Sequence, residues 1–330
     1  WGKILSGDLL AGGLAAVYPG PAFMEGDAVV AETALSKAGR GRSADFLEYY
    51  RVSFAEGDFR DFWQWRYGSQ RYYTPDYYKA GYLAVAGLRT YFNVPDFTAR
   101  YYERIADKNG VAFFNFNKTV KEQTGTSFKE AFSEISHKIS EEWERDEAGR
   151  APFIEAKAQV DTPEYYGEFK SIQADNDGFY ALYGGITRNR TLVHHTSGKG
   201  MRHLQKFSSE TSNIRLSPAD GSLFWSEYRQ DPRWSYLSYS EIYRRDTSGR
   251  KTRLSHKSRY FNPSVSEDGK KLSVSEYALD GRSRVLILDS SDGKIVESKD
   301  ISDGTRVVET VWVGEEVYFS AITDEGFGIW

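Results

Sequence analysis

The chain of 330 residues contains no cysteine. Disulfide bonds, thiolate catalysis and cysteine-ligated metal sites are therefore excluded. Histidine and proline are also scarce, with five and nine residues. The sequence contains no run of about 20 apolar residues, so it predicts no transmembrane helix. No signal peptide is visible. Because many exported proteins also lack cysteine, its absence does not fix the compartment.

Neither sign of charge dominates the sequence. The 43 basic and 47 acidic residues give a formal net charge of −4, which does not favour a nucleic-acid groove or a polybasic membrane surface. Hydrophobic residues make up 40% of the chain, enough for a folded core. The first residue is Trp1, and Trp330 lies in a predicted strand. We therefore expect both ends to be cut from a longer polypeptide.

The pattern of apolar residues predicts helices over residues 1–150. The segments concerned are 43–62, 76–91, 97–107 and 127–145. The last carries one apolar stripe at intervals of three and four residues, formed by Phe128, Phe132, Ile135, Ile139 and Trp143. We read residues 151–168, with two prolines, as a linker or crossing strand.

From about residue 169 onward the sequence predicts short strands separated by turns. Asp220-Gly221 and Asp268-Gly269 recur about 48 residues apart, and each is followed by Ser-Glu-Tyr. Weaker copies occur near Gly178 and Gly314. An Asp-Gly pair favours a hairpin turn. Four strands per repeat indicate a β-propeller blade. The fold class is therefore mixed, with a mainly α-helical N-terminal domain followed by an all-β partial propeller.

The repeat resembles the TolB-type β-propeller motif N-P-x-x-S-x-D-G-x-x-L. Asn262, Pro263, Ser266, Asp268 and Gly269 match it, and so does the leucine that follows. The resemblance covers residues 169–330 and implies three four-stranded antiparallel blades and a truncated fourth.

Glu25 and Glu32 lie seven residues apart and share one face of a helix that follows Pro21. One interpretation is an N-terminal acid that the helix dipole favours. The run Glu25-Gly-Asp-Ala28 also resembles the W-x-x-E-G-x-A motif of gluzincin zinc metallopeptidases, with Phe23 near the usual aromatic position. That resemblance implies Glu25 as third zinc ligand. Glu32 is too distant to bind the same ion and suits a supporting role around the ligand.

A second segment resembles the aminopeptidase N group of the gluzincins, whose Y-x-K-G helix start supplies a tyrosine that stabilises the oxyanion. Tyr78 keeps the spacing to Gly81, although the lysine is shifted by one position. The resemblance implies Tyr78 as a catalytic residue, with Tyr77 and Tyr82 as alternatives. A structural role in an aromatic core is the other interpretation.

The sequence departs from the gluzincins because it contains no HExxH motif. We expect all five histidines to be surface or structural residues. Since one carboxylate cannot activate a zinc-bound water by itself, we expect this chain alone to bind no zinc and to be inactive. In the resembling proteins the HExxH helix precedes the glutamate motif, which would place it upstream of Trp1.

Two further features have alternative interpretations. The basic run Gly39-Arg-Gly-Arg42 is a loop that pairs with nearby acids, or a clamp for a phosphate or a substrate carboxylate. The paired aromatics around Trp63, Tyr72 and Tyr77 line the core and a groove, or contact a carbohydrate or peptide. No G-x-S-x-G, Walker or Rossmann motif is present.

Segments 25–42 and 68–82 resemble those of exported proteins of the Bacteroidetes type, in which a peptidase-like helical region precedes a TolB-like propeller. The resemblance extends across nearly the whole length of the chain. That resemblance implies a periplasmic or envelope location, zinc in the parent protein, and a peptide substrate. The alternative is a non-catalytic scaffold that binds another envelope protein through its propeller. Neither hypothesis involves nucleic acid.

Overall fold

A computed structural model describes residues 20–330 except 38, 109–111, 151, 153, 155, 162, 208–209 and 303. The chain forms two compact units that divide between Lys157 and Ala158. The connecting segment predicted for residues 151–168 stays a prediction. None of the described helices is both long and apolar enough to cross a membrane.

The described part of the first unit is helical. Its α-helices are α1 (Pro21–Leu35), α2 (Ala44–Ala55), α3 (Phe62–Tyr67), α4 (Tyr77–Tyr91), α5 (Phe97–Lys108), α6 (Ala112–Thr124) and α7 (Phe128–Ala148). Side chains cap three of them at Asp61, Asp76 and Ser127, because these residues accept hydrogen bonds from the otherwise unpaired first N–H groups.

One helix prediction needs correction, and one helix was missed. The helix predicted over 43–62 ends at Ala55, because the chain turns at Gly57, whose φ of +77° favours glycine. A separate helix then begins after the capping box of Asp61 and Gln64. Helix α6 was not predicted, since only its final Thr124-Gly125 turn was recognised.

Helices α1 and α4 cross with their backbones in contact. A Cβ added at Gly26 of α1 would lie 2.1 Å from the carbonyl carbon of Gly81. A Cβ added at Gly81 would lie 1.7 Å from the carbonyl oxygen of Ala22. Only glycine permits such an approach. The glycines of both predicted motifs are therefore the crossing point of two helices.

Helix α4 also meets α7 through a glycine, Gly87. A Cβ on Gly87 would lie 2.3 Å from Cγ2 of Ile135, which belongs to the predicted apolar stripe. Phe132, in the same stripe, is fully buried and packs edge-on against Phe62, with ring centroids 5.5 Å apart. The stripe therefore docks α7 onto the core of the helical unit.

The second unit consists of antiparallel sheets in chain order, three with four strands and one with three. Their strands are β1 (Gly167–Ala174), β2 (Gly178–Gly185), β3 (Arg188–Thr196) and β4 (Gly200–Lys206); β5 (Arg215–Leu216), β6 (Leu223–Gln230), β7 (Ser238–Arg245) and β8 (Lys251–Arg253); β9 (Tyr260–Val265), β10 (Lys271–Tyr277), β11 (Ser283–Asp289) and β12 (Ile295–Asp300); β13 (Arg306–Val313), β14 (Glu316–Thr323) and β15 (Gly326–Ile329). Each sheet is a meander of neighbouring strands, which confirms the predicted partial propeller of four-stranded blades.

The repeated turns occupy equivalent positions in the blades. Asp220-Gly221 connects β5 to β6, and Asp268-Gly269 connects β9 to β10. Both glycines have positive φ, +69° and +72°. The repeat read from the sequence therefore corresponds to the turn between the first and second strands of a blade.

Alternating side chains on the second blade pack against different neighbours, as the pleat of a strand requires. Trp225 joins a buried cluster with Leu192 of the first blade, whereas Phe224 joins one with Leu272 of the third. Polar contacts also connect blades: Ser171 Oγ accepts a hydrogen bond from the backbone N of Ile214 at 2.7 Å.

Replacing Gly26 by alanine tests the helix crossing. A helical Gly→Ala change ordinarily stabilises by about 1 kcal/mol. Here the new Cβ cannot fit, so we expect Gly26→Ala to destabilise the protein by at least about 2 kcal/mol, as overpacking does. Urea unfolding measures the change. Gly149→Ala is the matched control, because its Cβ would have its nearest contact at 3.5 Å. Equal stabilities of the two variants would contradict the crossing.

Truncation of Phe132 tests the docking of α7. Because this ring is fully buried, we expect Phe132→Ala to cost about 3–5 kcal/mol in the free energy of unfolding. Leu35→Ala, at a side chain 88% exposed, serves as the control and should change stability little. A loss below roughly 1 kcal/mol for Phe132→Ala would mean that the apolar stripe does not pack as described.

Candidate functional site

Helix α1 places Glu25 beside its crossing with α4. The buried face of this helix carries Ala22, Phe23, Gly26 and Val29. Phe23 anchors that face in a cluster of aromatic rings, 4.9 Å from the Phe116 ring. Glu25 is therefore half-buried at the flank of the contact rather than inside the core. It forms no ion pair with any residue that the structure describes.

The rotation of α1 about its axis is fixed by the residue two positions after Glu25. Asp27 forms an ion pair with Arg89 of α4 and accepts a hydrogen bond from Thr98 Oγ1 of α5 at 3.1 Å. These contacts tie α1 to two neighbouring helices and leave Glu25 on the remaining flank.

Tyr78 lies in the first turn of α4, one turn before Gly81. Asp76 caps this helix and accepts a hydrogen bond from the backbone N of Tyr78 at 3.1 Å. The Tyr78 hydroxyl interacts electrostatically with Glu25: partial desolvation, and after it the Glu25 carboxylate, raise the pKa of Tyr78 above its ordinary value. The structure thus brings together the predicted ligand and the predicted oxyanion donor.

The two alternative tyrosines have other contacts. Tyr82 packs edge-on against Phe46, with ring centroids 5.8 Å apart, and its hydroxyl lies against Gly41. Tyr77 stacks on Tyr78 at 4.9 Å. Of the three residues considered, Tyr78 is the one whose pKa Glu25 shifts.

Glu32, the predicted supporting residue, uses both carboxylate oxygens to bind Arg40. Its Oε1 accepts from Arg40 Nε at 2.7 Å and from the Arg40 backbone N at 2.9 Å, and its Oε2 accepts from Nη2 at 3.1 Å. These hydrogen bonds hold the pKa of Glu32 below its usual range. The Gly39–Arg42 loop thus pairs with a nearby acid, the first of its two interpretations. The role of Glu32 around a metal stays a prediction.

The described residues do not by themselves fit a zinc centre. Around Glu25 they offer one carboxylate and one phenol, whereas a gluzincin site requires two imidazoles in addition. His137, on α7, stacks on Phe59 at 4.2 Å, and the other four histidines belong to the second unit. Within the described ranges, no three histidine or acidic side chains are grouped so as to hold a metal ion.

A separate cluster of buried charge lies in the second blade. Glu227 and Glu241 are directly paired across β6 and β7, with side chains 9% and 3% exposed. Lys251 binds Glu227, Arg253 Nη1 lies 3.5 Å from Glu241 Oε2, and Trp225 Nε1 donates to Glu227 at 2.8 Å. Because both carboxylates face cations, this cluster is a structural network of the blade.

The sequence did not predict the contact of Arg40 with Tyr78. The guanidinium lies over the tyrosine ring, 5.1 Å from its centroid. The basic run around Arg40 was recognised as a loop that pairs with acids, but nothing in its local pattern indicates an aromatic partner.

Comparisons with known proteins concern the fold alone. No family model matches the chain, and no curated protein matches it. Solved structures that it resembles include the β-propeller domain of the Trilobed protease from Pyrococcus furiosus, with 12% identity, 47% of this chain and 48% of that chain covered, and a TM-score of 0.35. TolB from Acinetobacter baumannii gives 13% identity, coverages of 48% and 52%, and a TM-score of 0.33.

A third similar structure is the acylaminoacyl peptidase of Pyrococcus horikoshii, with 10% identity, coverages of 47% and 28%, and a TM-score of 0.35. The chain thus spans between 28% and 52% of these three proteins. At TM-scores this low they carry no argument about what this chain does.

Proposed function

We propose that the helical unit carries part of a gluzincin-type zinc peptidase site, in which Glu25 is the third metal ligand and Tyr78 the oxyanion donor. The supporting observation is the pairing of these two side chains. They come from helices far apart in sequence and meet because Gly26 and Gly81 allow the two backbones to touch. A purely structural tyrosine and an incidental surface acid would not need this arrangement.

The chemical state of both groups suits those roles. Tyr78 has a raised pKa, so it is a neutral phenol at neutral pH and donates a hydrogen bond. A donor aimed at the oxygen on which negative charge develops is among the most effective devices in acyl transfer. Glu25, without a cation partner among the described residues, is free to donate a carboxylate oxygen to a metal.

The remainder of the site belongs, in this proposal, to an HExxH segment upstream of Trp1 in a longer parent protein. Zinc held there would supply an activated water and polarise the substrate carbonyl. This chain alone is then inactive, and no catalytic step follows from its residues by themselves.

The propeller unit has a binding role in this proposal. It presents a peptide substrate or a protein partner, in an exported protein of the cell envelope or periplasm. The feature that supports this role is the TolB-like repeat in the sequence. If the peptidase part fails, a scaffold that binds an envelope protein through the propeller is the remaining function.

Calorimetric zinc titration tests the metal role. The present chain should show no tight site, because a single carboxylate binds zinc poorly. In a longer chain that carries the upstream segment, Glu25→Gln should weaken zinc binding by about tenfold or more, on the order of 1.4 kcal/mol.

Glu48→Gln is the matched control, because Glu48 is an exposed carboxylate on α2 and its loss should leave the zinc affinity unchanged. Equal zinc affinity of the longer chain with and without Glu25 would contradict the peptidase assignment of this segment.

A further inference from the structure

The Gly39–Arg42 segment is held rigidly on α1. A Cβ at Gly39 would lie 2.3 Å from Cα of Thr33, so that backbone and helix are in direct contact. Thr33 also accepts two hydrogen bonds from the segment, from the backbone N of Gly41 at 3.1 Å through its Oγ1 and from Arg42 Nη2 at 2.8 Å through its carbonyl oxygen. Arg40 therefore starts from a fixed backbone position.

The side chain of Arg40 is fixed as well. Glu32 accepts two hydrogen bonds from its guanidinium and one from its backbone N. Exposed ion pairs of this kind contribute little to stability, and these side chains are 47% and 37% exposed. The value of the pair lies in its geometry, because a planar guanidinium bound at two nitrogens has one orientation.

That orientation places the guanidinium on Tyr78. The Arg40 Cζ lies 5.1 Å from the centroid of the Tyr78 ring, within the range of a cation–π interaction. Tyr77 stacks on the same ring at 4.9 Å, with 21° between the planes. The Tyr78 ring is therefore in contact with both Arg40 and Tyr77, and its hydroxyl interacts with Glu25 and with Tyr77.

We propose that Arg40, held by Glu32, is a positioning residue that fixes the Tyr78 ring and directs its hydroxyl to Glu25. We call the set of contacts from Glu32 through Arg40 to the Tyr78 ring the brace. Its significance for catalysis rests on the proposed function, although the contacts themselves do not. It explains why a carboxylate two turns after Glu25 belongs to the same site without touching a metal: Glu32 acts through Arg40, and Arg40 acts through the face of Tyr78.

Fluorine NMR of the present chain with 3-fluorotyrosine at position 78 tests the brace without any activity assay. Arg40→Ala should shift the fluorine resonance, because the ring loses the guanidinium over its face and is free to reorient. Arg40→Lys should leave the resonance between those of the unchanged chain and Arg40→Ala, since it keeps the cation but not the paired hydrogen bonds. Glu32→Gln should resemble Arg40→Ala. Arg100→Ala is the control, as it breaks an exposed pair with Asp96 of similar length. A resonance in Arg40→Ala and Glu32→Gln identical to that of the control would overturn the proposal.

Kinetics of the longer chain separate this proposal from the proposed function. If both hold, Arg40→Ala lowers kcat about tenfold or more while KM changes little, because the loss concerns the transition state, and Arg40→Lys recovers part of it. A longer chain that binds zinc but cleaves no peptide overturns the proposed function. The fluorine resonance of the present chain then still shows whether Arg40 positions the Tyr78 ring. An active chain whose kcat is insensitive to Arg40→Ala overturns the catalytic importance of the brace alone.

Discussion

The approach of two helix backbones at Gly26 and Gly81 is the constraint on which the helical unit depends. Side chains at a crossing ordinarily keep helix axes 8–10 Å apart, and removing them on both sides lets the backbones touch. The separation of α1 and α4 then fixes everything attached to their flanks. Glu25 precedes one glycine and Tyr78 lies a turn before the other, so their meeting follows directly from the crossing.

Around this crossing, electrostatic contacts set the direction of each side chain rather than the stability of the fold. Asp27 and Arg89 fix the rotation of α1. Glu32 and Arg40 extend the same helix face to the ring of Tyr78. The aromatic core supplies the stability, and the ion pairs on its rim select one arrangement of the polar groups. This division explains how half-exposed charges can orient polar side chains on rigid helices.

The sequence predicted those elements whose signals are local. The stripe that includes Phe132 and Ile135 predicted α7 and its buried face, and the Asp-Gly turns predicted the blades, because periodicity and turn chemistry are properties of neighbouring residues. The break at Gly57 was missed, since a helix-like pattern continues on both sides of it. The proximity of Glu25 and Tyr78 was implied only by resemblance to a family.

The contact of Arg40 with Tyr78 could not be predicted, because it depends on how tightly the loop packs against α1. In the sequence, Gly39 and Gly41 indicate only a loop that pairs with acids or binds an anion. In the structure their missing Cβ atoms are what allow the loop to lie on Thr33 and under the Tyr82 hydroxyl. Glycines that permit close approach and glycines that permit a turn look alike until the partner surface is known.

The most direct test of this account is the pKa of Tyr78, measured by fluorine NMR titration of 3-fluorotyrosine at that position. If the crossing brings Glu25 to Tyr78, then Glu25→Gln removes a negative charge that disfavours the phenolate, and the pKa must fall. Gly26→Ala, which forces the helices apart, should abolish most of that difference. The same Tyr78 pKa with glutamate and with glutamine at position 25 would contradict the central claim that these two groups form one site.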